Sequence, residues 1–166
     1  MTGAQIGGPF TLIDQGGKPV TWDDFAGQYR MVYFGYTFCP DACPTDVGVM
    51  MRGFAAFAQA HPALAAKVQP IFITIDPARD TPARVGEFAA AFSPRLLGLT
   101  GSQAQVDTAV RAFKVVAQRG AETPGGYLMD HSRLAYLFGP GGKPIEALPV
   151  DKSVEAVAAD LAASVQ

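Results

Sequence analysis

Cysteine and histidine are scarce: the 166-residue chain carries two of each, and the cysteines stand close together at positions 39 and 43. That spacing excludes a disulfide scaffold, because a bridge across so short a loop would constrain the unfolded chain by only about 2 kcal/mol. A chain of this length buries a core without such staples. Charge is sparse too, with 17% charged residues, a net charge of −2 and the signs interspersed. No basic cluster supports a nucleic-acid surface, and the weak acidity names no partner. No apolar run approaches the ~20 residues of a membrane span, and Met1 to Gly8 has neither the basic nor the apolar region of a signal peptide. Repeats, linkers and low-complexity tracts are also missing. With 49% hydrophobic residues, the expectation is one folded, soluble domain over residues 1–166.

What is present reads as alternating strands and helices. Phe10 to Ile13 and Pro19 to Trp22, around Asp14-Gln15-Gly16-Gly17, predict an N-terminal hairpin. Arg30 to Tyr36 is an apolar and aromatic run suited to a central strand covered on both faces. A helix is expected to start near Cys43 and Pro44, where proline's missing N–H is harmless, with Val47, Met50, Met51, Phe54 and Phe57 as its buried stripe. His61-Pro62 ends it. Pro70 to Pro77 predicts a second buried strand, and Thr81-Pro82 caps a helix presenting Val85, Phe88, Ala89 and Phe92 inward. Leu96 to Leu99 is a short strand, and Ser102 with Gln105 has capping-box spacing before another helix. Lys114 to Ala117 reads as a strand and Gln118 to Met129 as a long loop of functional length. Leu134 to Phe138 and Pro144 to Leu148 form a hairpin, and Asp151 to Val165 a closing helix. This order predicts an α/β fold with a central mixed sheet flanked by helices and an N-terminal β-hairpin extension, the pattern of a thioredoxin-like fold.

Cys39 and Cys43, at i and i+4 about a first helical turn, can reach each other. They can form a disulfide or grip one metal ion; two buried free thiols are the plainer alternative. Placement at a helix start lowers thiol pKa and favours chemistry. The spacing is C-x-x-x-C with a proline after each cysteine, one residue longer than a thioredoxin-type C-x-x-C. His61, at a helix end, is structural by position. His131 lies on the loop entering a strand, at the sheet end to which the cysteine loop belongs in the expected fold. Met50 and Met51 sit on the apolar stripe and read as core. Tyr33, Phe34, Tyr36 and Phe38 read as sheet and pocket lining. Arg79 either contacts a partner or pairs with Asp80.

Three segments, Phe34-Gly35-Tyr36-Thr37-Phe38-Cys39-Pro40-Asp41-Ala42-Cys43-Pro44, Ile75-Asp76-Pro77-Ala78-Arg79-Asp80-Thr81-Pro82 and Asp130-His131-Ser132, together closely resemble the Sco/SenC family of copper proteins. The similarity runs from about Gly8 to the C-terminal helix. It implies a thioredoxin-like fold, copper held by Cys39, Cys43 and His131, and a role in assembling the dinuclear copper site of cytochrome c oxidase. Two thiolates and an imidazole suit Cu(I), and Cu(II) if an oxygen ligand joins. Zinc would want a fourth ligand, for which Asp41, Asp76 and Asp130 are the available donors. Asp76 is then an outer-shell or docking group, or a turn cap; Asp130 orients His131 or makes a turn. The expected partners are the copper-accepting oxidase subunit and another copper chaperone as donor. The expected place is the periplasmic face of a bacterial inner membrane. The alternative from the enzyme class is a thiol-disulfide oxidoreductase using Cys39 and Cys43 to reduce the oxidase's cysteines or to sense redox state. A peroxidase using Cys39 leaves the prolines and the Asp-His pair without a role.

Overall fold

Alternation of outward and inward side chains sets the register of the first strands, and the computed structural model shows where they pack. It describes residues 6–38, 42–115, 117–123, 126–131 and 135–166, with the backbone alone at 42, 43, 119, 121–123 and 126–131. Strands β1 (Thr11–Ile13) and β2 (Pro19–Thr21) pair antiparallel with Leu12 opposite Val20. Asp14 closes their turn, its Oδ1 accepting from the Gly16 and Lys18 amides at 2.9 and 3.0 Å. A 3-10 turn, Trp22–Phe25, follows. Next come β3 (Tyr29–Gly35), α1 (Ala42–Ala60), α2 (Pro62–Ala65), β4 (Val68–Thr74), α3 (Pro82–Ala90), β5 (Leu97–Leu99) and α4 (Gln103–Ala112). The chain ends with β6 (Ala117–Thr123), β7 (Gly126–His131), β8 (Ala135–Phe138), β9 (Pro144–Leu148) and α5 (Val154–Ser164).

The main sheet has the order β5-β4-β3-β8-β9. β3 and β4 are parallel, as are β4 and β5, while β8 runs antiparallel to both β3 and β9. The sheet is therefore mixed, with the apolar run around Tyr33 at its centre. Met31 to Tyr36 are all buried, because helices or the N-terminal hairpin cover both faces. Successive residues of β3 face opposite layers. Tyr33 reaches α1 through a hydrogen bond to Asp46, and Phe34 meets Phe113 beyond α4 at 5.3 Å between ring centroids. Trp22 packs edge-on against Phe113 and Phe138 at 5.1 and 5.2 Å, which seats the N-terminal hairpin on the sheet. Its tip also meets the sheet edge through a bridge between Ile13 and Thr100.

Three expectations need correction. Lys114 to Ala117 is not a strand of the main sheet: Lys114 takes a left-handed φ of +56°, which turns the chain after α4, and extended structure starts at Ala117. The stretch expected as a long loop instead carries β6 and β7, a separate antiparallel pair. Its first strand, Ala-Gln-Arg-Gly-Ala-Glu-Thr, is polar and poor in β-formers, so its partner supplies the order that local pattern does not show. The closing helix starts at Val154 with Ser153 as its cap rather than at Asp151. Pro62 also opens a short helix that was not expected. β4 starts two residues earlier and ends at Thr74, so Asp76 and Pro77 stand in the turn beyond it rather than in the expected strand; the other elements fall within a few residues of expectation.

Candidate metal centre

β3 ends at Gly35 and α1 begins at Ala42, so the cysteine segment bridges the C-terminal end of a central strand and the N-terminal end of a helix. Cys43 lies in the first turn of α1. Cys39, with Pro40 and Asp41, lies outside the described residues, as does the Cys43 side chain. The helix carrying Cys43 is anchored. Asp46, one turn further on and buried, accepts a 2.8 Å hydrogen bond from Tyr33 Oη. Val47, Met50, Met51, Phe54 and Phe57 are all buried beneath it, which assigns both methionines to the core.

β4 delivers the second segment at the same sheet end, since it is parallel to β3 with Gly35 opposite Thr74. Asp76 is buried, and its Oδ2 accepts from Arg79 Nε at 2.5 Å. Arg79 therefore pairs with Asp76, not with Asp80 as the sequence had allowed. The Asp76 carbonyl accepts from the Asp80 amide at 2.9 Å, so Asp76 also holds the turn ahead of Thr81. Asp80 is itself fully buried. Its Oδ1 accepts from Thr37 Oγ1 at 2.5 Å, and its Oδ2 from the Thr37 amide and from Thr74 Oγ1 at 3.0 and 2.6 Å. Arg84 Nε donates to Thr37 Oγ1 at 3.1 Å, and its guanidinium lies 3.8 Å from the Phe38 ring centroid. Arg79 lies near the same ring at 4.8 Å. Tyr33, Phe34 and Tyr36 are buried lining as expected, but Phe38 is 37% exposed. Sequence reading offered Asp80 only as a partner for Arg79. The missed signal was a threonine at or just beyond the ends of three strands, Thr37, Thr74 and Thr100, all bonding to one residue.

The third segment arrives from β7. His131 is its last residue, paired with Ala117, and Asp130 pairs with Gln118; both side chains lie outside the described residues. Ala135 opens β8 beside Tyr33, near the end of β3 from which the cysteine segment departs. His131 thus stands four residues before a strand neighbouring the cysteine-bearing one, a span that cannot exceed roughly 14 Å. His61 is exposed, next to α2, with its ring 5.6 Å from Phe57, far along α1 from Cys43.

This layout is shared with known proteins. A family model described as SCO1/SenC matches residues 1–166. The mouse mitochondrial SCO1 homolog is 36% identical over 159 residues, covering 95% of this chain and 55% of that protein. The chain thus spans little more than half the length of that relative. Among solved structures, Bradyrhizobium japonicum ScoI with copper bound superposes with a TM-score of 0.85 at 38% identity, covering 96% of this chain and 99% of that one. BsSco, a member of the Sco family of cytochrome c oxidase assembly proteins in which a disulfide switch has been identified, matches at a TM-score of 0.73 and 25% identity, covering 95% and 92%. The match over every residue, and the fold shared with these structures, establish that this chain belongs to the SCO1/SenC family.

Proposed function

We propose that this chain is a copper metallochaperone, in which reduced Cys39 and Cys43 with neutral His131 hold one copper ion and pass it to the copper-accepting subunit of cytochrome c oxidase. The observation that carries the reading is the pairing of β3 with β8. It brings the segments bearing the cysteines and the histidine out from adjacent strands at one end of the sheet. A copper-bound Sco structure that aligns over 96% of the chain supports the same reading. Two thiolates and one imidazole are a soft donor set that suits Cu(I), and an added oxygen ligand suits Cu(II). On this reading copper is cargo, so the site has to be open to an acceptor's ligands.

Asp76, bound to Arg79, acts as a brace for the neighbouring loop rather than a ligand, and Asp130 orients His131. Another copper chaperone loads the site. The family match over residues 1–166 supports a single working unit. Among the described residues no helix is long and apolar enough to cross a membrane; the reading places this unit at the periplasmic face of a bacterial inner membrane, where the oxidase's copper site is assembled.

Copper titration of the reduced protein tests the assignment. Substituting Cys39→Ser, Cys43→Ser or His131→Ala is expected to weaken binding by at least about tenfold, since even the loss of an outer-shell partner costs that much. The Cu(II) form should show thiolate charge-transfer absorption that each cysteine variant removes. If affinity is weak and indifferent to His131 while the protein reduces a model disulfide, the chaperone reading fails and thiol-disulfide exchange through Cys39 and Cys43 replaces it.

A further inference from the structure

Asp80 is a carboxylate with 0% exposure, and such burial costs several kcal/mol unless donors surround the charge. Here they do. Two of the three side-chain bonds it accepts come from one residue, Thr37, through both the amide and the hydroxyl. The third comes from Thr74, and the Asp80 carbonyl accepts from Thr100 Oγ1 at 2.7 Å. Tying three strand ends together needs no charge, since apolar packing does that. Holding one backbone amide and its own side chain from the same carboxylate does more, because it fixes the path and the rotation of Thr37 together. Thr37 lies two residues before Cys39 in the sequence, so a constraint on Thr37 is passed toward that thiol through only two peptide units.

We propose that Asp80 is the positioning residue for Cys39: it clamps the exit from β3 and so sets where that thiol is presented. Arg84 completes the clamp from outside by donating to the same Thr37 hydroxyl and stacking on Phe38. The inference deepens the metal-site reading and rests on Cys39 having a functional thiol.

Three variants of the full chain decide it. Thr37→Val removes the hydroxyl, and with it one bond to Asp80 and the bond from Arg84, and keeps the amide; Asp80→Asn keeps the shape and removes the charge. Val68→Ala serves as the control, since Val68 is buried at the opposite end of β4 and opens a cavity far from the site. For each, we would measure the melting temperature, copper affinity, the thiolate-to-copper band, and the alkylation rate of Cys39 by iodoacetamide in the metal-free Cys43→Ser background. Thr37→Val and Asp80→Asn are expected to weaken copper binding roughly tenfold or more and to shift the band. They should also speed Cys39 alkylation by about fivefold or more, since Thr37→Val loses both the bond to Asp80 and the one that Arg84 donates to the same hydroxyl. Val68→Ala should lower the melting temperature and leave the other readouts in place. The proposal is overturned if the two clamp variants change those readouts no more than Val68→Ala does at matched stability. Should wild-type copper binding prove indifferent to Cys39, Cys43 and His131, the chaperone reading falls, and alkylation of metal-free Cys39 alone decides: faster in Thr37→Val upholds the clamp, unchanged removes it. Thr37→Val also covers the case in which Asp80→Asn does not fold.

Discussion

Glu146 is pulled in two directions on β9. Partial burial pushes its carboxyl above the ordinary glutamate value, and the 2.9 Å hydrogen bond from Ser164 Oγ of α5 draws it partly back. An acid whose folded pKa lies above its unfolded one is disfavoured by the fold in its charged form. The penalty is absent below the unfolded value and grows as pH rises through the folded one. Glu146→Gln keeps an acceptor for Ser164 and loses the charge, so it should melt higher than wild type at pH 7. Melting curves at pH 7 and below pH 4 should show that gap closing with acidification; a gap of equal size at both would contradict the assignment. At this scale the sequence was most readable where the partner is local. Thr81 before Pro82, and Ser102 with Gln105, cap their helices as spacing predicts. Asp80 was not readable, because the residue it holds lies 43 positions away.

Helix α1 is straddled by its neighbours, and at Gly53 the approach of α5 leaves no room for a side chain. A Cβ there would sit 2.5 Å from Val157 Cγ1 and 2.6 Å from its Cβ. Alanine favours a helix over glycine by about 1 kcal/mol, whereas overpacking a core costs roughly 1–3 kcal/mol. The clash is with an atom rooted on the backbone and not with a flexible tip, so packing wins. Gly53→Ala should be destabilised in urea unfolding, and adding Val157→Ala should recover part of the loss through coupling between the two sites. Stripe periodicity placed α1, α3 and α4 because each buries one face on the sheet. Nothing in that periodicity announces that a second helix crosses α1 at a glycine. The β6–β7 pair was unreadable for a related reason: β6 is polar, with Gly120 at its middle, and neither strand shows the alternation of apolar and polar residues that marks a half-buried strand.

The molecule carries a mixed five-stranded sheet wrapped by helices and a hairpin, β6–β7, whose strands among the described residues pair with each other and not with that sheet. Two-stranded ribbons are marginal alone, so the hairpin amides should exchange with deuterium through local opening well before those of β3 and β4. On the proposed ligand set, with His131 at the end of β7, copper should slow exchange in the hairpin more than in the main sheet. Hydrogen-exchange mass spectrometry with and without copper reads both; uniform slowing across the chain would argue against a ligand on that strand. The central strands were legible from the apolar runs around Tyr33 and Phe72, and the start of α1 from Pro44, whereas the strand order comes from the structure. The distant histidine was suggested by resemblance; the β3–β8 register shows only that the strand four residues after it neighbours the cysteine-bearing one.

The same sheet has two outer strands. On one side the N-terminal hairpin meets the edge where Ile13 bridges Thr100; on the other, β9 is the last strand in the order. An outer strand offers its unpaired amides and carbonyls to any other chain, and proteins blunt that offer with proline and with charges set where a neighbour would have to bury them. β9 opens on Pro144 and carries Glu146 at its middle. The glutamate's strained ionisation thus acquires a purpose: an intruding strand would have to bury that charge more deeply than the fold already does. Glu146→Gln, the more heat-resistant variant in dilute solution, should be the one that clouds first when concentrated.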